Sequence, residues 1–418
     1  MTHGSLLQRW LQVTLFGIMK IAKRAEDNPG PTTPDAFRTR SKEREHQMEG
    51  SLKLLRQLAH IHGGNITLAA KKYGLPKEKI IDFSANINPL GPSKKIHEAI
   101  TANIGAIVNY PDPDCTELKD ALAGYLGIDR DLLLMGNGAA ELIYLLVRVT
   151  GCKKALIPVP TFCEYGLAVL SQGGDVVEVE MDEEEGFRLP AEKIIKLMPE
   201  ADLLFICSPN NPTGRLVERP VIERILERAA DHGVLVLVDE AFMDFVPRRE
   251  LYTMMQTVGT SGSLAVLYSL TKFFGIPGLR LGSIAGPANL IKKMKASKDP
   301  WNVNSLAQAA GLAGLEDREH MERTNALVSR EKSFLFEALQ CMPGLSPLPG
   351  AANFILLNVS GSGLKSGEFT ELLGRRGILV RDCLGFSGLA GRYVRIAVKD
   401  RPENEVLLAA IKDILGGK

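Results

Sequence analysis

A chain of 418 residues with 50 lysines and arginines against 49 aspartates and glutamates carries a formal charge of +1. The length exceeds what one hydrophobic core fills, so one large and one smaller domain are expected, and the neutral balance lacks the basic excess that non-specific nucleic-acid binding needs. Six scattered cysteines, with no Cys-x-x-Cys pair and no clustered histidines, argue against a zinc site or a disulfide framework and fit a reducing cytoplasm.

Residues 1–58 change character twice. An amphipathic stretch, Leu6 to Lys23, gives way to the proline- and glycine-broken Asp27 to Asp35 and then to the charged run Arg38 to Glu49. Such a segment reads as a flexible extension, with Met48 an alternative start; a docking helix is the competing reading. Its most apolar part, Trp10 to Ile21, is shorter than the roughly 20 residues a spanning helix needs, so no membrane span is expected. Residues 59–92 read as an N-terminal arm that contributes to the active site and to a dimer.

From Lys94 the pattern alternates. Apolar runs Leu132 to Met135, Ala155 to Val159, Leu203 to Cys207, Val234 to Asp239 and Leu264 to Ser269 read as strands, and Ala139 to Thr150 and Val221 to Ala230 as helices between them. Continuous Val/Leu/Ile strands separated by helices predict an α/β fold with a mostly parallel central sheet covered by helices, whose ligands gather at the carboxyl ends of the strands. This large domain is assigned to 93–298. Residues 299–418 begin with a long helical region and then give strands at Ala352 to Asn358 and Tyr393 to Val398, the pattern of a smaller α+β domain.

Four polar segments follow the apolar runs: Gly136-Asn137-Gly138-Ala139-Ala140-Glu141, Ser208-Pro209-Asn210-Asn211-Pro212-Thr213-Gly214, Asp239-Glu240-Ala241-Phe242, and Tyr268-Ser269-Leu270-Thr271-Lys272 with Arg280 eight residues on. Each alone reads equally as turn chemistry or as a site. A glycine turn aims helix amides at an anion or merely connects elements. Asp239 ends an apolar strand, where a carboxylate is costly without a positive partner. Hydroxyls and an arginine beside Lys272 suit an amine that carries a phosphorylated aldehyde.

Taken together, in this order, the four segments resemble the fold-type I pyridoxal-phosphate enzymes from about His62 to the C-terminus. The resemblance implies that Lys272 holds the cofactor as a Schiff base and that Asp239 pairs with its ring nitrogen. It implies that Asn211 bonds the phenolic oxygen and that Phe162 stacks on the ring. Gly138, Ala139, Ala140, Ser269, Thr271 and Arg280 would hold the phosphate, and Tyr110 would reach it from the second subunit of a homodimer. Arg395 and Arg381 match arginines for a substrate carboxylate and a substrate phosphate, where the residue-level alternative is a pair of surface ion pairs. Within this group, His62-Gly63-Gly64-Asn65-Ile66 and Asp82-Phe83-Ser84-Ala85-Asn86-Ile87-Asn88 resemble the threonine-phosphate decarboxylases of cobalamin synthesis more than the histidinol-phosphate aminotransferases. His62 and Asn86 would then touch the substrate phosphate. Phe242 stands where many relatives have tyrosine. The implied reaction is decarboxylation of O-phospho-L-threonine, with phosphoserine decarboxylation and histidinol-phosphate or aromatic transamination as the alternatives.

Overall fold

The computed structural model describes residues 63–417; the extension 1–58, the first residues of the arm and His62 lie outside the described residues. The strands are β1 (Ile81–Asp82), β2 (Leu133–Gly136), β3 (Lys154–Val159), β4 (Asp175–Glu180), β5 (Leu203–Cys207), β6 (Leu235–Asp239), β7 (Leu264–Ser269), β8 (Gly282–Ala285), β9 (Ser346–Leu348), β10 (Phe354–Asn358), β11 (Ile378–Leu379), β12 (Arg381–Asp382) and β13 (Tyr393–Ala397). Seven of them form one sheet in the order β2-β8-β7-β6-β5-β3-β4. Its ladders are parallel except where β8 runs against β2 and β7. The sequence pattern missed β8 because four residues, Gly282-Ser283-Ile284-Ala285, are too few to show a period, and missed β4 because its polar residues give no continuous apolar run.

Strand alternation decides where the chemistry sits. Leu204, Ile206, Val236, Val238, Leu264 and Val266 pack into one core beneath helices that include Arg219–His232. The intervening residues Leu203, Phe205, Cys207, Leu237, Ala265 and Leu267 enter a second core under the helices Ala139–Thr150, Glu164–Ser171 and Ala288–Ser297. Because side chains alternate with period two, Asp239 and Ser269 continue the second face. The register sets Cys207 beside Asp239 and Asp239 beside Leu267, so these strand ends form one row.

A second, antiparallel sheet has the order β12-β13-β10-β9, and its core rests on the helices Arg318–Gln340, Ser366–Gly374 and Arg401–Gly416. The arm contributes β1, which pairs in parallel with β11 as a separate two-stranded sheet. Among the described residues, no helix is long and apolar enough to cross a membrane.

Leu237 is fully buried in β6, two residues before Asp239. Truncating such a side chain costs roughly 2–5 kcal/mol through lost transfer energy and an unfilled cavity. Leu237→Ala should lower the unfolding free energy by about that amount in denaturant titration, whereas a change within about 0.5 kcal/mol would mean that this core is poorly packed.

Candidate active site

The row of strand ends opens into a cavity of about 500 Å³ lined by residues of both sheets and of the arm. Lys272 lies on the short helix Leu270–Phe273 directly after β7. The arm holds this turn: Asn88 N–H donates to the Lys272 carbonyl at 3.0 Å, and Asn88 Nδ2 donates to the Phe273 carbonyl at 2.7 Å. Burial, followed by the positive charges of Arg395 and Arg280, lowers the Lys272 amine from 10.5 to about 8, and only Asp239 opposes them. An amine so placed keeps a minor but useful neutral, nucleophilic fraction near physiological pH, where an ordinary lysine has almost none.

Asp239 is nine-tenths buried or more at the end of β6. One oxygen, Oδ2, accepts a 2.6 Å hydrogen bond from the Tyr165 hydroxyl, and the other, Oδ1, accepts from the Ala241 amide at 2.9 Å. Burial still raises its pKa, so a cation placed beside it in the cavity would be bound strongly. Phe162 lines the same wall.

At the opposite end the features suit a phosphate. The helix Ala139–Thr150 begins at Gly138 without any side-chain cap, leaving its first amides available. Gly138 has φ +88, and a Cβ there would fall 2.3 Å from Arg280 Nη2, so only glycine lets this turn and that guanidinium meet. Ser269 Oγ and Thr271 Oγ1 lie 2.8 Å apart and both face the cavity. Lysine, counter-carboxylate, stacking aromatic and anion cradle therefore fit an aldehyde-bearing aromatic phosphate.

The antiparallel sheet contributes a pair of arginines to the cavity. Arg381 and Arg395 are direct cross-strand partners in β12 and β13, each 7% exposed, and both line the cavity. Neither forms an ion pair with a carboxylate among the described residues. Arg395 instead donates to Asn211 Oδ1 and, at 2.7 Å, to the Ser84 carbonyl, while its Nε has no partner. Burial above all, helped by the neighbouring charge of Arg381 and opposed by Cys383 and Asp82, brings the Arg395 guanidinium down to about 10. Asn86 also lines the cavity, with a buried Oδ1 that has no partner.

Twelve sequence-selected residues thus line the cavity: Asn86, Ala139, Ala140, Phe162, Asn211, Asp239, Ser269, Thr271, Lys272, Arg280, Arg381 and Arg395. Gly138 borders it through Arg280. Tyr110 is 79% exposed, stacked on Trp301 at 4.5 Å, and does not reach this chain's own cavity. His62 falls outside the described residues. Tyr165, Ser84, Ala241 and Phe386 also line it but were not selected as site residues; Ser84 and Ala241 lie within the quoted segments, Tyr165 falls three residues after Phe162 on what becomes a helix, and Phe386 gave no signal.

Residues 78–411 match the family model described as aminotransferase class I and II. The threonine-phosphate decarboxylase of Salmonella typhimurium strain LT2 is 36% identical over 357 residues, which cover 85% of this chain and 97% of that protein. Among solved structures, L-threonine-O-3-phosphate decarboxylase from Porphyromonas gingivalis superposes with TM-score 0.71 at 26% identity, covering 80% of this chain and 99% of that one. The histidinol-phosphate aminotransferase of Clostridium acetobutylicum gives 0.75 at 29% identity, with 80% and 99% coverage.

The depressed amine is directly testable. In cofactor-free protein, modification of Lys272 by an amine-directed acylating reagent, followed peptide by peptide in a mass spectrometer, should rise with pH through a midpoint of about 8 and flatten above it. In Asp239→Ala the midpoint should fall further, because the one charge that raises it is gone. A midpoint near the ordinary 10.5 would contradict the burial of this amine.

Proposed function

The chain belongs to the aminotransferase class I and II family, and from that premise we propose that it decarboxylates O-phospho-L-threonine with pyridoxal phosphate held by Lys272. The observation that carries this reading is the facing pair Arg381 and Arg395. Like charges directly opposite each other on a sheet repel, and burial makes the repulsion costly unless anions enter between them. A substrate that brings both a carboxylate and a phosphate dianion supplies those anions. In this reading Arg395 takes the carboxylate, Arg381 takes the phosphate, and Asn86 and His62 add contacts to the latter.

When bound, pyridoxal phosphate supplies an imine-forming aldehyde and a ring that accepts the electron pair released at the substrate α-carbon. The residues do the rest. Asp239 keeps a proton on the ring nitrogen. Asn211, whose Oδ1 is engaged by Arg395, has its amide N–H groups left to donate to the ring oxygen. Phe162 would pack on the ring, while Gly138, Ala139, Ala140, Ser269, Thr271 and Arg280 would hold the phosphate. Arg381, Arg395 and Asn86 orient the substrate so that the bond to its carboxylate is the one that breaks. Lys272 Nζ would be the group that delivers a proton to the substrate α-carbon in place of the carbon dioxide lost. The product is then the phosphate ester of 1-amino-2-propanol, a linker of the cobalamin nucleotide loop. Phosphoserine lacks only a methyl group, worth roughly 1–3 kcal/mol of discrimination, so its decarboxylation should be slower rather than absent.

The same reading makes the protein a cytoplasmic homodimer. Ile104, Ile107, Val108, Tyr110 and Trp301 are apolar or aromatic and exposed, and Tyr110 and Trp301 stack on each other, which supports a surface that another copy covers. Tyr110 would then complete the partner's phosphate site.

Supplied with phosphothreonine, the protein should release carbon dioxide and the amino-alcohol phosphate in equal amounts, and Lys272→Ala should reduce the rate by at least about a thousandfold. Arg381→Ala should raise KM for phosphothreonine more than it lowers kcat. A keto acid with pyridoxamine phosphate as products would replace decarboxylation by transamination.

A further inference from the structure

The closest contact to the Asp239 carboxylate comes from a side chain with no part in the chemistry above. Tyr165 lies in the first turn of the helix Glu164–Ser171 and is 1% exposed. One face stacks on Phe205 of β5, with centroids 4.9 Å apart and planes 17° from parallel. Phe162, the cavity-wall aromatic, meets it at 5.6 Å with the planes 85° apart. The ring is therefore fixed, and its hydroxyl points at Asp239 Oδ2, 2.6 Å away.

Resting on the proposed function, we infer that Tyr165 is a positioning residue that sets the charge state of the ring pocket through Asp239. Burial pushes the Tyr165 phenol well above its usual range, so it stays protonated and its short bond is a donation to the carboxylate. That donation opposes the burial that would otherwise neutralise Asp239. Together with the Ala241 amide, it also fixes both oxygens, so the carboxylate presents one orientation to the cavity. The other titratable groups acting on this cluster are Lys272 after β7 and Cys207 on β5; burial pushes the Cys207 thiol up, so it stays neutral and cannot substitute for the phenol. Without the hydroxyl, Asp239 holds its own proton more readily and the ring nitrogen of a bound cofactor loses its positive charge. A less positive ring raises the proton affinity of the conjugated nitrogen attached to Lys272. The link through Phe162 ties the aromatic that packs on the ring to the acid that charges it.

The test is an absorbance titration of the pyridoxal-phosphate-loaded protein. Tyr165→Phe retains the ring packing and removes one oxygen, and thermal melting verifies the fold. In this variant the pH midpoint of the long-wavelength band should rise by about one unit, the size expected for one hydrogen bond to a buried charge. Its kcat should fall about tenfold while KM for phosphothreonine stays within about twofold. Phe205→Leu loosens the same ring without touching the hydroxyl and should leave the midpoint in place. In Asp239→Asn the midpoint should already be raised, and adding Tyr165→Phe should move it no further. An unmoved midpoint in Tyr165→Phe, an equal shift in Phe205→Leu, or additive shifts in the double variant would each overturn the role of Tyr165. Should Asp239→Asn itself leave the midpoint unchanged, or the wild-type protein form no coloured adduct at Lys272, the proposed function fails rather than the role of Tyr165 alone.

Discussion

An ionised carboxylate at the end of a fully buried strand is the constraint around which the rest of this site is arranged. Asp239 closes β6, whose preceding residues Val236, Leu237 and Val238 are wholly buried, and no bulk water solvates it. A charge in that position survives only with hydrogen bonds and a positive neighbour. Tyr165 and the Ala241 amide supply the first, and Lys272 supplies the second. A cationic ring nitrogen would be a closer and better-directed partner than an amine already depressed to about 8. The cofactor thus completes an electrostatic arrangement that the polypeptide leaves open.

The same accounting applies at the other end of the cavity with the sign reversed. Arg381, Arg395, Arg280 and Lys272 line it against the carboxyl groups of Asp239 and Glu164, so the basic side chains outnumber the acidic ones. Two dianionic phosphates and a carboxylate, one phosphate from the cofactor and the rest from the substrate, are of the right sign and sufficient number. Arg395 also bonds Asn211, so a guanidinium of the small sheet is tied to the turn that follows β5.

Much of this was legible in the sequence, and for identifiable reasons. The strands Leu203–Cys207 and Leu264–Ser269 were read to the residue because fully buried parallel strands are continuous apolar runs with polar residues immediately after them. The large sheet was read as mostly parallel, and the antiparallel β8 was invisible because a four-residue strand containing a glycine and a serine has no pattern to detect. Cavity residues at strand ends were found because chain position itself places them there. Tyr165 and Phe386 escaped because a buried tyrosine and a loop phenylalanine look like ordinary core, and their importance comes from what they touch: Asp239 in one case, the Arg381 guanidinium at 5.4 Å in the other.

The arm shows why a local motif could point to a distant site. Six strands of chain separate Asn88 from the lysine and eleven separate Ser84 from the strand of the arginine, yet Asn88 bonds the Lys272 turn and the Ser84 carbonyl accepts from Arg395. Gly63 must be glycine for this to happen, since a Cβ there would fall 2.2 Å from the Ser84 carbonyl oxygen. Asp82 in turn accepts from the Ser84 hydroxyl and amide, stiffening the turn whose carbonyl faces the guanidinium. A segment that binds one residue of each sheet at once is constrained at nearly every position. That density of constraint is why the stretch from Gly63 to Asn88 carried a recognisable signature while the equally buried small-sheet core did not.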